Sequence, residues 1–296
     1  MKELLQKPLI SVVIPCYNEE FYIGEALRTL NEQITDFDYE VIVVDNNCDD
    51  NSVAIAKKYG ARVIEEKIPG VCAARQTGTK AARAEIVVST DSDSRFKPNW
   101  LQSIYNEFKS NPSIIAVAGP CSYYDGPWWG KGYTKILFTF SWLYSKLTGH
   151  PFYITATNIA FKKTAWTGYD NNLPQGGDEL GLLKQLKRHG KIIFKFHNGI
   201  LTSGRRLTKG ALYNLFVTCM YYYFFAYIIN SLFKRQIIGM APVFRKNQER
   251  SPYFKYALRL CMVIVPGIVV YYGFTPIAHF LNDNTVDISK FLMRNY

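Results

Sequence analysis

The sequence predicts an α/β fold, a mostly parallel sheet flanked by helices, with apolar helices toward the C-terminus. Three observations carry this expectation. Short aliphatic runs alternate with amphipathic stretches over the first 200 residues. The runs are apolar at nearly every position instead of every second one, as strands covered on both faces must be. Beyond residue 210 lie two long stretches without charge.

Taken in order, "LISVVIPCYN" reads as a buried strand and "EEFYIGEALRTLNEQ" as the amphipathic helix after it. Although the chain opens on an apolar stretch, Pro15 interrupts it and Asn18-Glu19-Glu20 follow at once, so it is a first strand and not a signal peptide. "YEVIVVDNN" is the second strand, and "NSVAIAKKYG" a helix closed by Gly60. "ARVIEE" is a third strand, "GVCAARQTGTKAARA" a helix, and "EIVVSTDSD" a fourth strand. "KGYTKILFTFSWLYSKLTGH" has helical period but is strongly apolar and aromatic. "FYITATNIAFKKTAW" reads as strands, "GGDELGLLKQLKRHG" as a helix and "KIIFKF" as a further strand. A first domain over 1–204 and a helical, membrane-associated region over 205–296 follow from this pattern.

The six cysteines contain no C-x-x-C pair, which favours a reducing compartment over a disulfide framework or zinc site. The net charge of +11 is unevenly placed. Residues 205–259 hold ten Lys/Arg against Glu249, giving +9, while residues 1–204 hold 23 basic and 21 acidic side chains, giving +2. Positive charge packed around apolar segments points to anionic lipid headgroups or a substrate phosphate, and not to nucleic acid.

Residues 211–233 and 260–282 carry no formal charge, and each is long enough to cross a hydrocarbon core, which takes about 20 residues. A buried helical hairpin is the other reading: the first stretch has five tyrosines, and the second contains Pro266, Gly267 and Pro276. Two full crossings would put the basic segment 234–259 opposite the N-terminal domain, against the positive-inside tendency. The expectation is therefore membrane association with the N-terminal domain on the cytoplasmic face, without a fixed number of spans.

In open α/β sheets, ligands bind beyond the carboxyl ends of the strands. Here those ends are Pro15-Cys16-Tyr17-Asn18-Glu19, Asp45-Asn46-Asn47 and Asp91-Ser92-Asp93. Each alone is ordinary turn chemistry; three together mark a site. Neither a G-x-G-x-x-G nor a G-x-x-x-x-G-K-[ST] motif is present, and "DSDSRF" lacks the glycine of a calcium loop. Asp91 and Asp93, two apart on an extended segment, project to one side and can share a Mg2+ or Mn2+ ion. A plain strand-end turn is the competing reading.

Four stretches, "SVVIPCYNEEFYIGEAL", "YEVIVVDNNCDDNSVAIAKKYGARVI", "GVCAARQTGTKAARAEIVVSTDSDS" and "GGDELGLLKQLKRHGKIIF", resemble in order and spacing the family 2 glycosyltransferases of membrane-associated bacterial or archaeal type. The resemblance spans most of residues 10–195 and implies the GT-A fold of nucleotide-diphospho-sugar transferases. It implies that Pro15, Tyr17, Glu19 and Asp45 bind the nucleoside end of a nucleotide-sugar donor. Asp91 and Asp93 match the family's Asp-x-Asp metal motif, and Arg75 an arginine near the nucleotide, although Gln76 stands where members more often have Asn. Asn158 falls at a position near the acceptor. "TSGRRL" is similar to a segment of many members, which makes Arg205 and Arg206 cations facing the leaving diphosphate; a juxtamembrane basic anchor is the alternative.

The resemblance also implies a general base at Asp178-Glu179. Members usually have Glu-Asp here, so the order is reversed. Counting back from Gly190 selects Glu179, whereas residue type selects Asp178. The two leave a helix about 100° apart and cannot be equivalent. Acids that merely stabilise a helix N-terminus would look the same. Trp128 and Trp129 suit either a sugar or a membrane interface.

The activity expected from this resemblance is metal-assisted, inverting transfer of a sugar from a nucleotide-diphosphate donor to a hydroxyl of a lipid-linked glycan or glycolipid. A nucleotidyltransferase and a catalytically inactive membrane-bound sugar-nucleotide scaffold are the rival readings.

Overall fold

The structure is a computed structural model describing residues 7–170 and 178–214, together with 216, 221 and 229; of Asp178 it describes the backbone alone. Two compact units divide the chain, Met1–Val243 and Phe244–Tyr296, and every described residue belongs to the first. In chain order the elements are β1 (Ile10–Cys16), α1 (Ile23–Asn31), β2 (Tyr39–Asp45), α2 (Ser52–Lys58), β3 (Arg62–Glu65), α3 (Val71–Ala81) and β4 (Ile86–Ser89). There follow α4 (Trp100–Ser110), β5 (Ile114–Ala118), β6 (Cys121–Tyr123), α5 (Trp128–Thr148), β7 (Ile159–Lys162), α6 (Asp178–Leu186), β8 (Lys191–Phe194) and β9 (Ile200–Thr202). Short 3-10 turns lie at Lys163–Ala165, after β7, and at Arg205–Lys209, after β9, the latter followed by a helical turn at Ala211–Tyr213.

The main sheet has seven strands in the order β3-β2-β1-β4-β7-β5-β8, and β6 pairs with β9 in a small second sheet. β1 runs parallel to both β2 and β4, while β7 is antiparallel to its neighbours β4 and β5. The sheet is thus mostly parallel, as expected. Its strands separate two cores by strand parity. Ile10, Val12, Ile14 and Cys16 of β1 face Leu27, Leu30, Trp100, Leu101 and Ile104 of α1 and α4. Val13, Val44 and Val87 face Cys72 and Ala74 of α3, in a core that also takes Phe138, Leu182 and Leu186. Each such fully buried aliphatic side chain contributes roughly 1.5–3 kcal/mol.

Local chemistry explains the boundaries. Gly60, at φ 79°, closes α2 as expected, its N–H donating to Lys57 O at 3.0 Å. Helix α4 had no counterpart in the sequence reading, although Trp100, Leu101, Ile104 and Phe108 sit on one face at helical spacing. The run "FYITATNIAFKKTAW" is strand only at Ile159–Lys162. Before it, Asn158 N–H donates to Thr155 O at 3.2 Å and Thr157 N–H to Thr155 Oγ1 at 3.3 Å, so a hydroxyl-stabilised turn displaces the ladder.

Among the described residues no helix is long and apolar enough to cross a membrane. The apolar stretch 260–282 lies outside the described residues, as does 211–233 except at 211–214, 216, 221 and 229.

α3 packs closely on the sheet because it carries Gly78: a Cβ there would run into Val13 and Val44. Gly78→Ala should therefore cost about 1–3 kcal/mol, read as a lower urea midpoint at unchanged slope; an unchanged midpoint would contradict this packing.

Candidate functional site

Parallel pairing sets the site's location. Cys16 is in register with Asp45, and Val13 with Ser89, so β1, β2 and β4 all end at one edge. Past that edge the chain turns at Asn18 and Asn47, with φ of 53° and 67°, a left-handed conformation that Asn tolerates. Asn18 Oδ1 accepts the Asp49 N–H at 2.8 Å, and the Glu19 N–H donates to Ser52 Oγ at 2.7 Å. These bonds lock the two loops together. Pro15 lies half-buried inside β1, and Tyr17 stands 44% exposed just beyond it. Asp45 Oδ1 accepts the Cys48 N–H at 2.9 Å, which fixes the carboxylate at the rim.

Arg75 projects from α3 beneath this edge and is 4% exposed. Its Nε donates to Ser89 Oγ at 3.2 Å and its Nη2 to Asp91 Oδ1 at 2.6 Å. The Thr157 hydroxyl donates to the second oxygen of Asp91 at 2.8 Å. Asp93 is reached from a different direction. The Arg95 N–H donates to Leu201 O at 2.7 Å and the Leu201 N–H to Arg95 O at 3.1 Å, laying β9 beside the Asp91–Asp93 segment. Thr202 of β9 then donates its hydroxyl to Asp93 Oδ1 at 2.8 Å. Asp125 accepts from the hydroxyl of Ser203 and the N–H of Gly204, which orients the turn that follows.

That turn delivers Arg205. Its Nη1 and Nη2 donate to the two oxygens of Glu19 at 2.7 and 2.6 Å, and Nη2 also lies 3.3 Å from Asp93 Oδ2. The guanidinium sits over the Tyr22 ring, 4.5 Å from its centroid. A bidentate fork of this kind is among the stronger charge-assisted contacts. Burial alone would lower the pKa of Arg205, but Glu19 and Asp93 outweigh it and raise it.

Three carboxylates, Glu19, Asp91 and Asp93, therefore face two guanidiniums, Arg75 and Arg205, leaving one net negative charge. Asp93 bears the consequence. Burial pushes its pKa from 3.8 up to about 6; Arg205 opposes this, and the like charges of Asp91 and Glu19 add to it.

The cluster suits a divalent cation in donor chemistry and charge. Asp91 and Asp93 are hard oxygen ligands of the kind Mg2+ and Mn2+ take, and Asp93 shares its one cation, Arg205, with Glu19. Among the described residues no three His, Cys, Asp or Glu side chains converge as a closed cage. An ion held here would complete its shell with water and substrate oxygens.

Of the residues singled out in sequence, Arg75 pairs with Asp91 and Arg205 with both Glu19 and Asp93, two bonded groups that meet where Asp91 and Asp93 repel each other, with Tyr17 and Asp45 on the same edge. Arg206 follows Arg205 on the 3-10 turn, half-buried. Asn158 lies just before β7. It is 2% exposed, accepts from Trp100 Nε1 at 3.1 Å and donates to the carbonyls of Pro120 and Asn198 at 2.9 Å each. Its amide is a structural clamp. Glu179 lies in the first turn of α6, 3.4 Å from the Tyr153 hydroxyl; the side chain of Asp178 lies outside the described residues. Thr157, Thr202 and Asp125 were missed. Short polar side chains orienting an acid from 66 or 109 residues away carry no local signal.

The raised pKa of Asp93 has a sign that can be measured. Between pH 4 and 6 the folded protein holds a proton that the unfolded chain has lost, so this group favours folding at low pH and the contribution disappears as pH rises through about 6. Asp93→Asn should be more stable than the parent at pH 7.5, by about 1–3 kcal/mol, with the gap closing toward pH 4 in urea unfolding. Glu19→Ala should instead lose about 3–5 kcal/mol, because it strips a buried guanidinium of its main partner. Equal effects of the two substitutions at both pH values would contradict the division of charge described above.

Comparison with known proteins agrees with this geometry. Residues 11–167 match the model of glycosyl transferase family 2. Chondroitin synthase of Escherichia coli is 34% identical over 122 residues, 39% of this chain and 18% of that protein. The dolichyl-phosphate hexose transferase of Haloferax volcanii is 39% identical over 107 residues, 36% of this chain and 46% of that one. The matches thus span less than half the length of these curated relatives. A mannosyltransferase from Pyrobaculum calidifontis, solved with GDP-Man and Mn2+, superposes with a TM-score of 0.53 at 22% identity, over 67% of this chain and 58% of its own. That likeness identifies the sheet and its covering helices as the GT-A fold. On a family match covering more than half of its length, this chain belongs to glycosyl transferase family 2.

Proposed function

We propose that the protein transfers a sugar from a nucleotide-diphosphate donor to an acceptor hydroxyl, with inversion at the anomeric carbon. The observation that carries this reading is the charge cluster at the sheet edge, two arginines interleaved with three carboxylates. Asp91 and Asp93 would hold a Mg2+ or Mn2+ ion, which when bound offsets negative charge developing on the departing diphosphate. Arg205 and Arg206 supply further guanidinium donors to phosphate oxygens. Tyr17, beside the strand end, offers a ring face to the base, and Asp45 an acceptor to the nucleoside. An acid at 178–179 takes the proton from the acceptor hydroxyl as its oxygen attacks. The named activity of the mannosyltransferase neighbour, with its nucleotide sugar and Mn2+, supports the donor class.

The acceptor in this reading is a lipid-linked glycan or glycolipid, and the catalytic domain works at the cytoplasmic face of a membrane. Support comes from the basic, apolar composition after residue 205 and from a relative named for dolichyl phosphate. Were the acceptor a polyprenyl phosphate, its oxygen would already be ionised and a strong base would be dispensable.

Screening nucleotide sugars for nucleoside diphosphate release, with Mg2+ or Mn2+ present, tests the activity. One donor should turn over, and Asp91→Asn or Arg205→Ala should lower kcat/KM by about 100-fold or more. Inert donors throughout, or variants as active as the parent, would overturn it. Asp178→Asn and Glu179→Gln, compared on a hydroxyl acceptor, assign the base: its loss should cost about 10²–10⁴-fold, the other substitution far less.

A further inference from the structure

α5 has two apolar faces, and the fold uses one of them. Gly130, Thr134, Phe138 and Ser141 are buried against the domain. On the opposite side Ile136 is 73% exposed, Phe140 57%, Leu143 48% and Leu147 87%, with Trp128 88% exposed at the start of the helix. At about 100° per residue these side chains form a stripe roughly opposite the buried one. An exposed stripe of this length is not ordinary surface composition.

Its surroundings specify what covers it. The helix contains no acidic residue, and its lysines Lys131, Lys135 and Lys146 are exposed along one flank of the stripe. At its C-terminal end a surface cavity of about 620 Å³ is lined by Gly149, His150, Lys187, Arg188, His189 and Lys191, again without an acid. Among the described residues none of these lysines, nor Arg188, is paired with a carboxylate. Aliphatic and aromatic side chains on one face, bordered by unpaired cations, are the composition of a helix that lies in the plane of an anionic bilayer. A protein partner would have to bring apolar surface and a matching set of acids; a bilayer of anionic lipid offers both.

We propose that α5 is an in-plane membrane-docking helix, its Trp128–Leu147 stripe seated among acyl chains and its lysines and the basic cavity taking headgroup phosphates. The same helix is tied to the proposed chemistry from its buried side. Phe138 packs against Tyr153, the rings tilted with 6.1 Å between centroids, and the Tyr153 hydroxyl donates to Glu179 at 3.4 Å. Docking through α5 therefore anchors to the membrane the element that supports the Glu179 end of α6. The bearing of this on the reaction rests on the lipid-borne acceptor proposed above; the docking surface itself does not.

A photoreactive benzoylphenylalanine replacing Phe140 in the full chain tests the surface directly. Vesicles are seven parts phosphatidylcholine to three of phosphatidylglycerol, and adducts are read by mass spectrometry. The expected product is a lipid adduct at position 140 and none from the same label at Lys109 on α4. Adding Lys131→Gln, Lys135→Gln and Lys146→Gln should lower the lipid adduct at 140 by about tenfold or more. Cross-links to a second copy or to residues 215–296, or no adduct in a protein that unfolds at the parent's temperature, would overturn the proposal. So would a yield indifferent to the lysines. Because the label needs no turnover, a lipid adduct without donor turnover faults the activity, and turnover without an adduct faults the surface.

Discussion

The site depends on one guanidinium shared between two acids. Arg205 holds Glu19 in a two-point fork and reaches Asp93 with the same Nη2. Without it, a buried carboxylate at the end of β1 and another beyond β4 would face each other across the sheet edge uncompensated. Placing Arg205 there requires β9 alongside the Asp91–Asp93 segment, Asp125 bracing Ser203 and Gly204, and locked loops after β1 and β2. The main sheet's parallel edge, the small second sheet and the turn after it are thus held in one arrangement by charge.

That balance is incomplete by one charge. Asp91 is satisfied by Arg75 and Thr157, whereas Asp93 has only the longer contact to Arg205 besides Thr202, and burial, with the like charges of Asp91 and Glu19, raises its pKa. A divalent cation paired with a diphosphate would add positive charge at the acid that lacks it and negative charge beside guanidiniums able to receive it. The apolar outer stripe of α5 lies on the element that supports Tyr153 and, through it, the Glu179 end of α6. Donor charge and acceptor delivery are in this view handled on separate parts of one domain.

Much of this was legible in the sequence, for identifiable reasons. Strands β1, β2 and β4 announce themselves because a strand covered on both faces has to be apolar at every position, and their polar termini then mark the edge. Spacing put Asp91 and Asp93 on one side of the chain but left a plain strand-end turn as an equal reading, and the family resemblance supplied the metal. What stayed hidden was long-range pairing: nothing near Glu19 signals a partner 186 residues away. The contacts of Asn158 were hidden for the same reason, since nothing near it in sequence signals the indole of Trp100 or the carbonyls of Pro120 and Asn198. Helix α4 was readable from Trp100, Leu101, Ile104 and Phe108, but it follows the polar turn so closely that its period was not recognised.

The most direct measurement of the account is Mn2+ binding, followed by electron paramagnetic resonance, to the full chain with and without a nucleoside diphosphate. Mn2+ and the diphosphate should each tighten the other's binding, and Asp93→Asn should abolish this coupling while Asn158→Asp does so only if the fold is lost. Mn2+ binding indifferent to the diphosphate, or undiminished in Asp93→Asn, would contradict the account.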